Sequence, residues 1–196
     1  MQGEAIASVN VGLHTLVSLL RRDPQATDTA CISIITFDKE VNNIIPLTEI
    51  ADIQLPEIVT PESGPTHLGK ALELLCQKVD AEVIKTTYDR KGDWMPILFI
   101  MTDGKPSDIL LYRQMIVEVK KRKFAAIIAC AAGPQAKPEF LKELTDNVIS
   151  LETTDSAAFS KYFKWVSDVV GLGGRSVGAT DEFLLPPPPP EIHSVI

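Results

Sequence analysis

The chain has 196 residues, of which 45% are hydrophobic and 23% charged, and this length suits one globular domain or one domain with a tail. The formal net charge of −7 argues against a generic binder of duplex DNA, because such a protein needs a concentrated basic surface. The longest uncharged apolar stretch, 124–133, is too short to span a membrane, and the first ten residues lack the apolar run of a signal peptide. The three cysteines are widely spaced and form neither a zinc pattern nor a disulfide framework. We therefore expect a reduced, cytoplasmic protein.

The sequence pattern in the first half of the chain predicts two helices and two strands. Apolar residues from Ile6 to Leu20 recur at steps of three and four, which predicts an amphipathic helix that Pro24 ends. The next segment is uncharged, β-branched and apolar on both faces, as is typical of a parallel strand covered by helices. A second strand pairs with it through a turn, and Thr66 is placed to cap the helix that follows. The predicted helices are 5–22 and 68–83, and the predicted strands are 31–37 and 41–47.

The second half alternates strands and helices with few interruptions. The predicted strands are 96–101, 124–131 and 148–151, and the predicted helices are 109–121, 138–145 and 156–169. This alternation indicates an α/β domain with a doubly wound, mostly parallel sheet and helices on both faces. We place this domain at 1–170. Residues 171–196 form a tail, rich first in Gly and then in Pro, whose five consecutive prolines, 186–190, are expected to be polyproline II.

Two of the predicted loops carry side chains that point to a binding site. Ligands of such folds bind outside the carboxyl ends of the strands, which directs attention to Thr66 and to Asp103, the residue after a buried strand. From the residues alone, Thr66 either caps a helix or faces a cation, and Asp103 is either a binding residue or only a turn residue before Gly104. Ser107 and Asp108 are expected to start the next helix.

Several longer segments resemble one known family. They are GEAI at the start of the first helix, ISIITFD, the Thr66 loop, KGDWMPILFIMTDGKPSD, ACAAGP and FKWVS. Taken with the order of elements, they resemble the von Willebrand factor A (vWA) domain, and in particular its TerY-like branch of bacterial proteins from tellurite-resistance and stress-response gene clusters. The resemblance covers nearly the whole chain.

The resemblance implies a metal-ion-dependent adhesion site. In the family one divalent cation, Mg²⁺ or Mn²⁺, is held by an Asp-x-Ser-x-Ser loop, a Thr and an Asp, and an acidic residue of a partner protein completes its shell. Thr66 and Asp103 match the Thr and Asp positions. The function implied is a non-enzymatic protein-interaction module of a tellurite or chemical-stress response. Its implied partners are kinase and phosphatase components of the same gene cluster, with no nucleic acid and no membrane.

One departure from the family affects the metal site. The sequence contains no Asp-x-Ser-x-Ser, and the first strand, which precedes that loop in the family, is also missing. Either the chain is an N-terminally truncated reading of a longer gene, or the strand and most of the metal shell have been lost. We favour truncation because the stripe of the first helix still needs a sheet face to cover. We then expect the strands on either side of the missing one to be unpaired, and metal binding to be weak or absent.

Other interpretations remain open. A Mg²⁺-dependent phosphohydrolase using Asp103 is one, although no Gly-x-Ser-x-Gly and no phosphate-binding loop supports it. A metal-independent scaffold acting through the Pro-rich tail is another. The three cysteines, Cys31, Cys76 and Cys130, are expected in the core, and Trp94 and Trp165 are expected to be packing anchors.

Overall fold

The computed structural model describes residues 1, 3–60, 64–175, 185–190 and 192–195. Its helices are α1 (Glu4–Arg22), α2 (Pro24–Thr29), α3 (Leu68–Glu82), α4 (Ile109–Lys120), α5 (Pro138–Leu144) and α6 (Ser156–Arg175). Its strands are β1 (Cys31–Phe37), β2 (Val41–Glu49), β3 (Ile97–Thr102), β4 (Ala126–Ala132), β5 (Val148–Leu151) and β6 (His193–Ser194). The doubly wound α/β fold class predicted from the sequence is confirmed.

The described strands form two sheets rather than one. In the larger sheet β3, β4 and β5 are parallel neighbours, and β6 adds to β5 in the antiparallel direction. The smaller sheet is the antiparallel hairpin of β1 and β2. No ladder joins β1 to β3 in the part of the chain that the structure describes, so the break expected beside a missing strand is present.

Helices cover both faces of the sheets. On one face α1 packs against α6, and the apolar stripe of α1 enters a core that includes Leu16, Leu20 and Phe159. This approach is close because Gly12 leaves room for the ring of Phe163, where a Cβ would collide with it. On the other face α3 packs against α4, and their apolar residues form a second core around Leu72.

The sequence-based prediction missed one helix, α2, and ended another, α6, too early. Pro24 does not simply end the first helix, because it is the first residue of α2, where a missing N–H is harmless. Asp23 caps that helix by accepting hydrogen bonds from the amides of Gln25 (3.0 Å) and Ala26 (3.4 Å). Helix α6 continues past 169 to Arg175, so the start of the Gly-rich segment is helical.

The end of the chain returns to the sheet. The indole N–H of Trp165 donates to the carbonyl of Pro186 (3.1 Å), Ile192 is buried in the core, and Ser194 pairs with Ile149 of β5. The Pro-rich segment therefore packs on its own domain. The Phe183-Leu184 part of the predicted tail lies outside the described residues.

Candidate functional site

The turn after β3 places Asp103 on the surface. Thr102 is buried, and its hydroxyl bonds to both the amide and the carbonyl of Gly104 (3.3 Å each), which closes a tight turn. The Asp103 side chain between them is 44% exposed. The carboxylate is therefore held by a fixed backbone and remains accessible to a ligand.

Thr66 lies directly beside this turn. Its amide donates to the hydroxyl of Ser107 (2.9 Å), and the amide of Ser107 donates to the carbonyl of Thr66 (2.8 Å). A Cβ built on Gly104 would stand 3.4 Å from the Thr66 hydroxyl oxygen. The structure thus brings the loops of the two residues selected from the sequence together at one rim of the sheet, although they are 37 positions apart (103 − 66).

The expectation that Thr66 caps α3 is wrong. His67 occupies the N-cap position and makes no capping bond with its side chain. The cap comes instead from Asp108, whose two carboxylate oxygens accept from the amides of Gly69 (3.0 Å) and Lys70 (2.9 Å). Since Thr66 does not serve the helix, its hydroxyl remains available at the rim.

Asp108 and Ser107 are positioning residues that the sequence analysis missed. Asp108 stands at the N-cap position of α4, as expected, but its side chain makes no capping bond to its own helix. It holds α3 to α4, while Ser107 holds the Thr66 loop. Nothing in the sequence signals these roles, because Thr66 is itself a residue type suited to cap the helix.

His67 ties the same loop to the end of β1. Its backbone amide donates to the carbonyl of Asp38 (2.9 Å), and its ring Nδ1 lies 2.9 Å from the carbonyl oxygen of Lys39. The ends of β1 and β3 therefore meet at one rim. The Nδ1 atom is therefore engaged by backbone.

The Asp103 carboxylate lies close to the first residue of the sequence. The Met1 nitrogen lies 2.6 Å from Asp103 Oδ2, and Met1 packs against the core that α1 joins.

The Thr66 hydroxyl and the Asp103 carboxylate are ligand types that suit Mg²⁺, but they are fewer than the ion requires. A hydroxyl and a carboxylate oxygen are the hard ligands that Mg²⁺ prefers, but the ion takes about six and releases water reluctantly. Within the described ranges, no group of three or more His, Cys, Asp or Glu side chains is arranged to hold a metal. Thr66 and Asp103 alone supply too few oxygen ligands to hold Mg²⁺ against water.

The remaining candidates divide between core and surface. Cys76 and Cys130 are buried as expected, and burial raises the pKa of both thiols. The prediction is wrong for Cys31, which is exposed at the start of β1. Trp165 is buried, whereas Trp94 is 45% exposed and lies under the ammonium group of Lys91, so Trp94 does not anchor the core.

Comparison with known proteins places the chain in a family. A model of the von Willebrand factor type A domain matches residues 1–164. Two crystal forms of proximal thread matrix protein 1 from the mussel byssus share its fold, with TM-scores of 0.59 and 0.56 at 17% and 18% identity. Each match covers 84% of this chain and 42% of the mussel chain, so this chain spans less than half of that protein.

No curated protein matches the chain. None of the helices in the described ranges is long and apolar enough to cross a membrane. The match of the family model over 1–164, together with the α/β sheet and the joined Thr66 and Asp103 loops, establishes that the chain belongs to the von Willebrand factor type A family.

Proposed function

We propose that this protein is a non-enzymatic interaction module that binds a partner protein at the rim formed by the Thr66 and Asp103 loops. The observation that carries the proposal is the position of the Thr66 hydroxyl next to Gly104, beside an exposed Asp103. A cation held there keeps open positions that an acidic side chain of a partner can fill. The vWA family to which the chain belongs generally serves as an interaction module.

The cation proposed is Mg²⁺ or Mn²⁺, and Thr66 and Asp103 are its proposed ligands. The remaining protein ligands correspond to the family's Asp-x-Ser-x-Ser loop and have to come from outside residues 1–196. Binding of the metal by residues 1–196 alone is therefore weak. We assign the protein to the TerY-like branch, in a bacterial tellurite or chemical-stress response with kinase and phosphatase partners. This assignment is supported by the segments KGDWMPILFIMTDGKPSD and FKWVS.

The test is capture of the kinase encoded in the same gene cluster, with and without Mg²⁺ or Mn²⁺. We expect Thr66→Ala and Asp103→Ala each to abolish the metal-dependent part of capture. Thr87→Ala and Asp89→Ala are matched controls, because both residues are exposed in the loop before β3, and they are expected to behave as the wild type. If both Thr66→Ala and Asp103→Ala capture the partner as the wild type does, a cation held by these residues plays no part in binding. Phosphoester turnover that disappears in Asp103→Asn would refute the non-enzymatic assignment.

A further inference from the structure

A cleft between α1 and the segment 50–58, which follows β2, plays no part in the function proposed above. We use the term α1 cleft for this depression, which has a volume of about 500 Å³. One wall is the second half of α1, from His14 to Arg22, and the other wall is formed by Ile53 and Leu55. The volume is large enough to receive several side chains of a binding partner.

Hydrogen bonds at both ends of the cleft fix the segment 50–58 against α1. At one end, the Asn10 side chain donates to the carbonyl of Ile58 and accepts from its amide (2.9 Å each). At the other end, Arg21 donates through Nε to the carbonyl of Ile50 (3.0 Å) and through Nη2 to that of Ile53 (2.6 Å). The two walls are therefore held in place without a ligand.

The cleft carries positive charge that no carboxylate neutralises. We use the term donor wall for His14, Arg21 and Arg22, which line the cleft and are all exposed. The acceptors of the Arg21 guanidinium are backbone carbonyls, which orient the group without cancelling its charge. Among the residues that the structure describes, no Asp or Glu forms an ion pair with the donor wall. The charge is thus available to an anionic ligand.

The acidic residues closest in sequence do not fill this site. Asp23, directly after Arg22, caps α2 by accepting from the amides of Gln25 and Ala26. Asp52 and Glu57 belong to the segment 50–58, but neither lines the cleft. In a chain with a net charge of −7, this wall is a local positive region that attracts acidic groups.

The floor of the cleft is apolar. Val17 and Ile53 are buried members of the core that α1 joins, and Leu55 packs against that core while remaining partly exposed. Arginine binds carboxylates through two parallel hydrogen bonds. A ligand that fits both surfaces therefore carries a carboxylate beside an apolar group.

The exposure of the walls favours a peptide over a small molecule. Sites for small molecules enclose most of the surface of their ligand. In the α1 cleft, the polar side chains of α1, including the hydroxyl of Ser18, are all exposed. An open cleft of this kind is accessible to a segment that enters and leaves it along its length.

We propose that the α1 cleft binds an acidic segment of a partner protein, with an Asp or Glu carboxylate on the donor wall and a neighbouring apolar side chain on the floor. This surface is separate from the rim, because α1 begins at Glu4, near the rim, and the cleft lies about 15–27 Å further along the helix. Binding there needs no metal ion. It is therefore independent of whether Thr66 and Asp103 hold a cation.

The test is a titration of the ¹⁵N-labelled chain with the blocked peptide Gly-Ser-Ala-Glu-Leu-Glu-Leu-Ala-Ser-Gly, in EDTA and at about 0.15 M salt. EDTA removes divalent cations from the rim, so cation-mediated binding there does not contribute. We expect amide chemical shifts to change at 14–22 and 50–55, with a Kd below about 1 mM. Peptides with Gln in place of both Glu residues, or Ser in place of both Leu residues, should each bind about tenfold more weakly.

Two variants change the charge of the cleft and leave the core intact. Arg22→Gln removes one charge and should weaken binding about three- to tenfold. Ser18→Glu places a carboxylate in the cleft at an exposed helical position and should abolish binding. Ala7→Glu is the matched control, because Ala7 is also exposed on α1 but lies 11 positions earlier (18 − 7), about 16 Å away. It is expected to bind as the wild type does.

Four results would each overturn the proposal. Equal binding of the Glu and Gln peptides would show that charge is not recognised. Binding that survives Ser18→Glu, with shifts outside 14–22 and 50–55, would place the peptide elsewhere. Inorganic phosphate that binds as tightly as the peptide would make the cleft a site for a free anion. No shift at peptide concentrations up to about 1 mM would show that the cleft does not bind acidic segments.

Discussion

Replacing Asp108 tests whether one carboxylate positions the proposed binding rim. In Asp108→Ala the amides of Gly69 and Lys70 lose the acceptors that now lie at 3.0 and 2.9 Å. Loss of a helix N-cap costs about 0.5–2 kcal/mol, and loss of a negative charge near the positive end of a helix costs about 0.3–1 kcal/mol. We therefore expect the free energy of unfolding to fall by about 1–3 kcal/mol.

Urea unfolding measures this loss directly. With a slope of about 1–3 kcal/mol per molar urea, the midpoint should fall by roughly 1 M. Asp108→Asn is the graded variant, because it keeps one acceptor oxygen and loses the charge, so its midpoint should lie between those of Asp108→Ala and the wild type. Asp89→Ala, in an exposed loop, is the control and should not move it.

The segment in which Asp108→Ala loosens the structure is as informative as the decrease in the free energy of unfolding. We expect hydrogen exchange in Asp108→Ala to accelerate at 64–72, at the start of α3, before it changes in β4 or α6. A midpoint equal to that of the wild type, with unchanged exchange at 64–72, would show that Asp108 does not hold α3 to α4. The view of the rim as a braced pair of loops would then be wrong.

Three further predictions follow from single contacts. Thr66→Ala should change the free energy of unfolding by less than about 0.5 kcal/mol, because the hydroxyl caps no helix. A larger decrease, measured by urea unfolding, would indicate that Thr66 does cap α3. Trp165→Phe should cost at least about 0.5–1.5 kcal/mol and accelerate exchange at 192–195, because the bond to Pro186 is lost while a phenyl ring keeps part of the packing. Unchanged exchange there would show that this bond does not hold the tail. Arg113 donates two hydrogen bonds to Glu143 and lowers the pKa of the Glu143 carboxyl below the usual 4.5. The stabilisation from this pair is therefore present above pH 4.5 and is lost as the pH falls further. The urea midpoint of Arg113→Gln should lie below that of the wild type at pH 7 and approach it near pH 3, and a difference that stays the same at both pH values would contradict this role of the pair.

The helices and strands were predictable from the sequence where local periodicity decides them. The stripe from Ile6 to Leu20 and the uninterrupted apolar run of β4 specify a helix and a buried strand without reference to the rest of the chain. The place of Asp103 at the rim also followed from a general rule, since ligands bind outside the carboxyl ends of parallel strands. The pairing of Thr66 with Asp103 came instead from the resemblance to the vWA domain.

Long-range contacts were not predictable in the same way. The bond from Gly69 to Asp108 joins residues 39 positions apart, and no periodicity relates them. The start of α2 had a local signal, Asp followed by Pro, but the same Pro also fits the end of a helix. Cys31 has an apolar sequence context typical of a core residue, and it is exposed because its strand has a neighbour on one side only within the described ranges.

The Thr66 loop is bonded to the ends of two strands that share no ladder with each other. Strands β1 and β3 are not paired in the described part of the chain. Beyond their carboxyl ends, however, the amide of His67 donates to the carbonyl of Asp38, and Thr66 and Ser107 bond to each other. These bonds fix the Thr66 loop relative to the turn that carries Asp103, so the separation of the two proposed metal ligands depends on backbone contacts that neither ligand makes with its own side chain.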